Sequence, residues 1–95
     1  MFGIAFEWDP KKDSANLRKH DVGFAEASTV FDDPLSTTIP DPDHAVGEER
    51  FVIVGMSGKR RLLIVVHTDK GERIRLISAR LATKHERHKY EEDSF

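Results

Sequence analysis

Arg50, Arg60, Arg61, Arg73, Arg75 and Arg80 all fall in the second half of this 95-residue chain, alongside His67, His85 and His88. Guanidinium groups grip phosphates with a planar fork, and imidazoles titrate near neutral pH. Together they suit phosphate binding and proton transfer. The densest stretch is residues 74–90, IRLISARLATKHERHKY, where Arg80 is followed by Lys84, His85, Arg87, His88 and Lys89 and closed by Tyr90. Arg80 directly follows an apolar strand without an obvious local partner, and is assigned to hold a ligand. Arg73 and Arg75 either pair with Glu48, Glu49 or Glu72 on a wet sheet face or belong to the same anion-binding surface. His20 either caps a helix C-terminus or lines a site. Tyr90 either stacks on a base or donates a proton, or it packs at a helix end with its hydroxyl at the surface. Glu48 and Glu49 adjoin on a strand, so at most one of them faces a site. His85 and His88 share a helix face, but a third metal ligand at suitable spacing is missing. His44, in a proline-rich loop, is read as a bystander.

These groups need elements to position them. Residues 2–8 alternate and predict a strand, with Asp9 and Pro10 as the N-cap and first position of a helix running to His20. Phe24, Ala27, Ser28 and Phe31 mark a second helix, ended by Asp32-Asp33-Pro34. A short strand is expected near residues 35–39, then an exposed loop. Three strands follow at about 49–56, 61–68 and 73–78, joined by Ser57-Gly58-Lys59 and Asp69-Lys70-Gly71. Turns this short force an antiparallel meander. Simple alternation along the last strand puts Ile74, Leu76 and Ser78 on one face, and Arg73, Arg75 and Ile77 on the other. Thr83 and Glu86 form a capping box opening a helix over about 83–91, with a fraying tail. The fold class is α+β: an antiparallel sheet, two N-terminal helices and one C-terminal helix in a single domain over residues 1–95.

Composition narrows the function further. The chain has no cysteine, which excludes disulfides, thiolate chemistry and cysteine-built zinc sites. The N-terminus does not read as a signal peptide, and the longest apolar run, residues 62–66, is too short to span a bilayer, so a cytoplasmic protein is expected. The net charge of −2 conceals an asymmetry: −6 over residues 1–55, +7 over 56–90 and −3 over the last five. That pattern describes a local basic patch for an anion. No Walker loop, GxGxxG, HExxH or GxSxG is present.

Phe6-Glu7-Trp8-Asp9-Pro10, Asn16, Lys19-His20, Val30-Phe31-Asp32-Asp33-Pro34, Gly47-Glu48-Glu49-Arg50, Ile77-Ser78-Ala79-Arg80, Glu86-Arg87 and Tyr90-Glu91 together resemble the BrnT toxins over nearly the whole chain. Asp21 departs from the glycine usual in that family after the Lys-His pair, which alters that turn. The resemblance implies a RelE-like α+β fold and a type II toxin that cleaves RNA and arrests translation. It also implies neutralisation by a ribbon-helix-helix antitoxin, BrnA, with DNA reached only through that antitoxin.

Such a ribonuclease, acting without metal or cofactor, uses the substrate's own 2′-hydroxyl as nucleophile. It needs a base, an acid and cations for the transition state. Arg80 is assigned the charge stabilisation, with Arg50 and Arg61 assisting. His20 or Glu49 is the base, and Tyr90 or His20 the acid. Arg73, Arg75, Lys84 and Arg87 form the RNA-binding surface. The competing expectation is a non-catalytic module that docks RNA or an acidic antitoxin on the same surface.

Overall fold

The structure, a computed structural model, describes residues 4–42 and 49–93. Expectations placed on residues 2 and 3, on His44 and Glu48, and on the last two residues lie outside that range. The elements are β1 (Ala5–Glu7), α1 (Pro10–His20), α2 (Phe24–Ser28), a 3-10 turn (Thr29–Asp32), β2 (Thr37–Pro40), β3 (Arg50–Met56), β4 (Leu62–Asp69), β5 (Arg73–Leu81) and α3 (Lys84–Asp93). The second expected helix is thus half α and half 3-10. The last helix continues through residues 91–93, where fraying was expected.

The sheet has the order β1-β5-β4-β3-β2. β2 to β5 pair antiparallel, as their connections require, but β1 runs parallel to β5 from Ala5↔Arg73 to Glu7↔Arg75. The sheet is therefore mixed, not antiparallel throughout. The reason is connectivity: β1 does not pair with its neighbour in the chain, so no tight turn dictates its direction.

One face of the sheet carries α1, α2 and the 3-10 turn. Ile53, Leu63, Val65, Leu76 and Ala79 point into this side and close on Val22, Phe24, Ala27 and Val30, with Phe6, Trp8, Phe31 and Ile74 at the margin. Close approach of the 3-10 turn to β3 depends on Gly55, where a Cβ would meet the Val30 carbonyl and the Ser36 side chain at 3.1 Å. Asp13 donates no apolar surface but accepts from Phe24 N–H at 2.8 Å, capping α2 where Gly23 has no side chain to do so. α1 ends at Asp21, whose φ of 59° is the left-handed conformation that glycine usually supplies. The Asp21 departure therefore leaves the helix-ending turn intact. Among the described residues, no helix is long and apolar enough to cross a membrane.

Asn16 is the buried residue of α1 and binds across to β5. β1 covers only Arg73 to Arg75 of β5, which leaves the backbone of Ala79 facing the helix. The Asn16 amide takes both exposed groups: its Nδ2 donates to Ala79 O at 2.7 Å, and its Oδ1 accepts from Ala79 N–H at 3.2 Å. Nδ2 also donates to Val22 O at 2.8 Å. One side chain thus continues the strand ladder that β1 leaves unfinished. Asn16→Ala strands three buried backbone groups, Ala79 O, Ala79 N–H and Val22 O, and is expected to cost about 2–3 kcal/mol, measured as a fall in the urea midpoint.

His67 is the least satisfied group in the core. It packs between Phe31, at 4.9 Å between ring centroids, and Phe51, at 5.8 Å, and neither ring nitrogen has a hydrogen-bond partner. Burial, only partly opposed by Asp69, holds its pKa below the usual 6.5. The folded state thus keeps His67 neutral while the unfolded chain protonates near 6.5. Stability is full above that pH and is lost as the pH falls below it. His67→Phe is expected to flatten the fall of the stability curve below about pH 6.5, read by thermal melts at successively lower pH.

Candidate active site

Arg80 owes its direction to a β-bulge. Val66 pairs with Ser78, but the next β4 residue, His67, pairs with Leu76, so Ile77 is left without a partner. An extra residue in one strand reverses the alternation beyond it. Leu76 and Ala79 therefore both face the helices, whereas Ser78 and Arg80 turn to the opposite face. This corrects the simple alternation that grouped Leu76 with Ser78. An unbroken strand would have aimed Arg80 into the core.

Arg80 emerges onto the helix-free face beside Glu86. Its Nη1 donates to Glu86 Oε1 at 2.8 Å and its Nη2 to Oε2 at 2.9 Å, a bidentate fork. The local partner that the sequence did not reveal therefore exists. Glu86 Oε1 also accepts from Thr83 N–H at 2.8 Å, and Glu86 N–H donates to Thr83 Oγ1 at 3.1 Å, which completes the capping box of α3. The hydrogen bonds from Arg80, outweighing burial, bring the Glu86 carboxyl down to about 2. Arg80, with its pKa raised by the same pair, stays protonated.

The sequence of α3, KHERHKYEED, offers no aliphatic residue to pack on the sheet. Its far end is held by Tyr90, whose hydroxyl donates to Asp33 Oδ2 at 2.7 Å. The same oxygen accepts from Met56 N–H at 2.7 Å, and Asp33 Oδ1 accepts from Leu35 N–H at 2.9 Å. Burial and the bond to Asp33 push the Tyr90 phenol up to about 12. Between α3 and the sheet lies a cleft of 570 Å³, floored by Ile39, Val52, Val54, Ile64 and Val66 and rimmed by Arg80, His85, Glu86, Lys89 and Tyr90. Its floor is apolar, and its lining carries Arg80 and Lys89 together with the carboxylates of Glu86 and Asp41. An apolar floor beside a guanidinium fits a flat base next to a phosphate.

A family profile described as the ribonuclease toxin BrnT of type II toxin-antitoxin systems matches residues 8–86. The chain belongs to the BrnT family. The family is one of ribonuclease toxins. In fold the chain is similar to the Brucella abortus ribonuclease toxin BrnT, whose crystal structure was determined at 1.1 Å. That likeness has a TM-score of 0.63 and 21% identity, covering 86% of this chain and all of the other. No curated protein matches the sequence.

Within this BrnT fold the residues singled out from sequence divide between two faces. Arg80, Tyr90 and Arg50 share the cleft side of the sheet. Arg50 pairs with Thr68, four β4 positions from Ile64, the partner of Arg80, so it stands at the far end of that face. Arg73 and Arg75 bind Glu7 at 3.5 and 2.8 Å, a partner on β1 that was not anticipated. Lys84 and Arg87 are exposed on α3. Glu49 is exposed ahead of β3, and His20 ends α1. Neither lines the cleft; the histidine that does is His85. Among the described residues no group of three or more His, Asp or Glu side chains converges to hold a metal ion.

Arg61 lies apart from Arg80. It follows the alternation of Leu63 and Val65 and so faces the helices. There it donates from Nε to Glu26 Oε2 at 2.9 Å, from Nη2 to Glu26 Oε1, and from Nη2 to Asp21 O at 2.8 Å. Ser57 Oγ donates to Glu26 Oε2 at 2.7 Å. This cluster ties the β3–β4 turn to α2 and to the end of α1, and it borders a larger hollow of 880 Å³. Of the ionisable groups there, Arg61 binds both Glu26 and Asp21 and is partly buried between them, while Lys59 stands at the edge of the hollow. The smaller cleft, unlike this hollow, has an imidazole, His85, in its lining. Sequence reasoning missed Asp33 and Glu26 as partners because each is joined to its counterpart only by the tertiary fold. Arg61→Ala leaves Glu26 buried with Ser57 alone and is expected to cost about 2 kcal/mol of stability. The measurement is the urea midpoint, with RNA cleavage by the folded variant retained.

Proposed function

We propose that this chain is a RelE-like endoribonuclease toxin, acting as one domain in the cytoplasm, that cleaves RNA without a metal ion and so arrests translation. The observation that carries this reading is Arg80, turned by the bulge at Ile77 onto the rim of an apolar cleft beneath α3, beside Lys89 and His85. The 2′-hydroxyl of the substrate attacks the adjacent phosphorus, the 5′-oxygen leaves, and a 2′,3′-cyclic phosphate remains. Charge accumulates on the non-bridging oxygens, which is the position a fixed guanidinium stabilises. Arg80 takes that role, and Lys89 and, further off, Arg50 hold flanking phosphates. His85 is the imidazole that lines the cleft and takes the proton-transfer role, in preference to His20 and Glu49, which stand away from it. Tyr90 holds its proton too tightly at about 12 to act readily as the acid. Its bond to Asp33 supports the cleft instead.

The basic surface of α3, with Lys84 and Arg87 outside the cleft, serves as a track for RNA. A ribbon-helix-helix antitoxin of the BrnA type covers the same face, and contact with DNA runs through that antitoxin. The test uses purified chain freed of any partner, incubated with RNA in EDTA. Wild type is expected to give fragments ending in 2′,3′-cyclic phosphate, and Arg80→Ala to lose at least about a hundredfold in rate while melting cooperatively. Binding of RNA without fragments would replace this reading with a non-catalytic module on the same surface.

A further inference from the structure

We propose that Glu86 is an internal stand-in for a substrate phosphate, and that RNA enters by exchanging one of its phosphates for the Glu86 carboxylate on Arg80. The proposal rests on the reading of Arg80 as the phosphate-gripping residue. Both terminal nitrogens of Arg80 are taken by the two carboxylate oxygens, at 2.8 and 2.9 Å. That planar fork is the geometry in which a guanidinium also takes two oxygens of a phosphate. An anion cannot reach this edge of Arg80 in the same way until Glu86 leaves it.

The pair is built for exchange. Its side chains are 42% and 31% exposed, and ion pairs in contact with solvent contribute little net stability. A phosphate arriving with its neighbours already held along α3 competes on favourable terms. The carboxylate has a second anchor, the Thr83 N–H, so it can swing from Arg80 without uncapping α3. With its pKa near 2, Glu86 stays ionised at every physiological pH, so release depends on a competing anion and not on protonation. The resting toxin is thereby self-neutralised at its main cation, and a lone phosphate is held more weakly than a strand.

Glu86→Gln separates the two duties of the side chain, because glutamine also completes a capping box but lacks the charge. The probe is a fluorescein-labelled single-stranded RNA with 2′-O-methyl riboses, which has no nucleophile and survives the measurement. Binding by the full chain is read by fluorescence anisotropy in EDTA, with a thermal melt for each variant. Glu86→Gln is expected to bind about threefold tighter than wild type, and the gain is expected to vanish in an Arg80→Ala background. If Glu86→Gln does not melt cooperatively, Glu86→Asp replaces it, since the shorter arm breaks the fork, and the same gain is expected. Equal or weaker binding by the folded variant overturns the stand-in role. Loss of binding in Arg80→Ala without a gain in Glu86→Gln leaves the reading of Arg80 intact and removes only Glu86. Unchanged binding in Arg80→Ala removes both.

Discussion

The parity of β5 governs this molecule. A strand feeds alternate side chains to opposite faces, and one extra residue, Ile77, reverses that order halfway along. Before it, Ile74 and Leu76 belong with the core; after it, Ala79 does, and Arg80 is sent to the other side. Asn16 fixes the reversed register by bonding both backbone groups of Ala79 from α1. A one-residue slip of β5 would break those bonds and turn a guanidinium toward the core face, where an unpaired charge is very costly. Core packing and site geometry therefore share one register.

Two arginine–glutamate pairs show how burial separates structure from function. Arg61 and Glu26 meet among the helices, with the Glu26 side chain only 5% exposed, and three elements converge on them. Breaking that pair leaves a buried carboxylate with too few donors, so the pair is a permanent tie. Arg80 and Glu86 have similar bidentate geometry but sit at the rim of the cleft, where water can replace either partner. The same chemistry is rigid in one setting and exchangeable in the other. Desolvation makes the difference.

α3 stands over the cleft without an apolar stripe. Its near end is attached through Glu86 to Arg80 and Thr83, and its far end through Tyr90 to Asp33. Asp33 also accepts from the backbones of Leu35 and Met56, so the Tyr90 anchor belongs to the loop that leads into β2. Polar end attachments leave the sheet face beneath open, which is why aliphatic side chains such as Ile39 and Val54 can floor a cleft and not a core. Of the cationic side chains of α3, Lys89 then faces whatever enters.

The sequence by itself determined the local features, because their causes are local. Asp9-Pro10 opened α1, Thr83 and Glu86 capped α3, short turns set the antiparallel meander, and charge asymmetry marked the basic half. The set of short motifs also pointed to BrnT, and Arg80 and Tyr90 both reached the cleft. Tertiary structure decided the rest. No spacing announces that β1 docks parallel on β5, since that pairing joins residues nearly seventy positions apart, as in Phe6↔Ile74. Nor does alternation announce a bulge, which depends on where β4 and β5 meet their partners. The division of the arginines followed from that register, sending Arg61 to Glu26 and Arg80 to the cleft. Local energetics write caps, turns and charge into the sequence; which face a side chain reaches, and which partner waits there, is settled only when distant strands lock together.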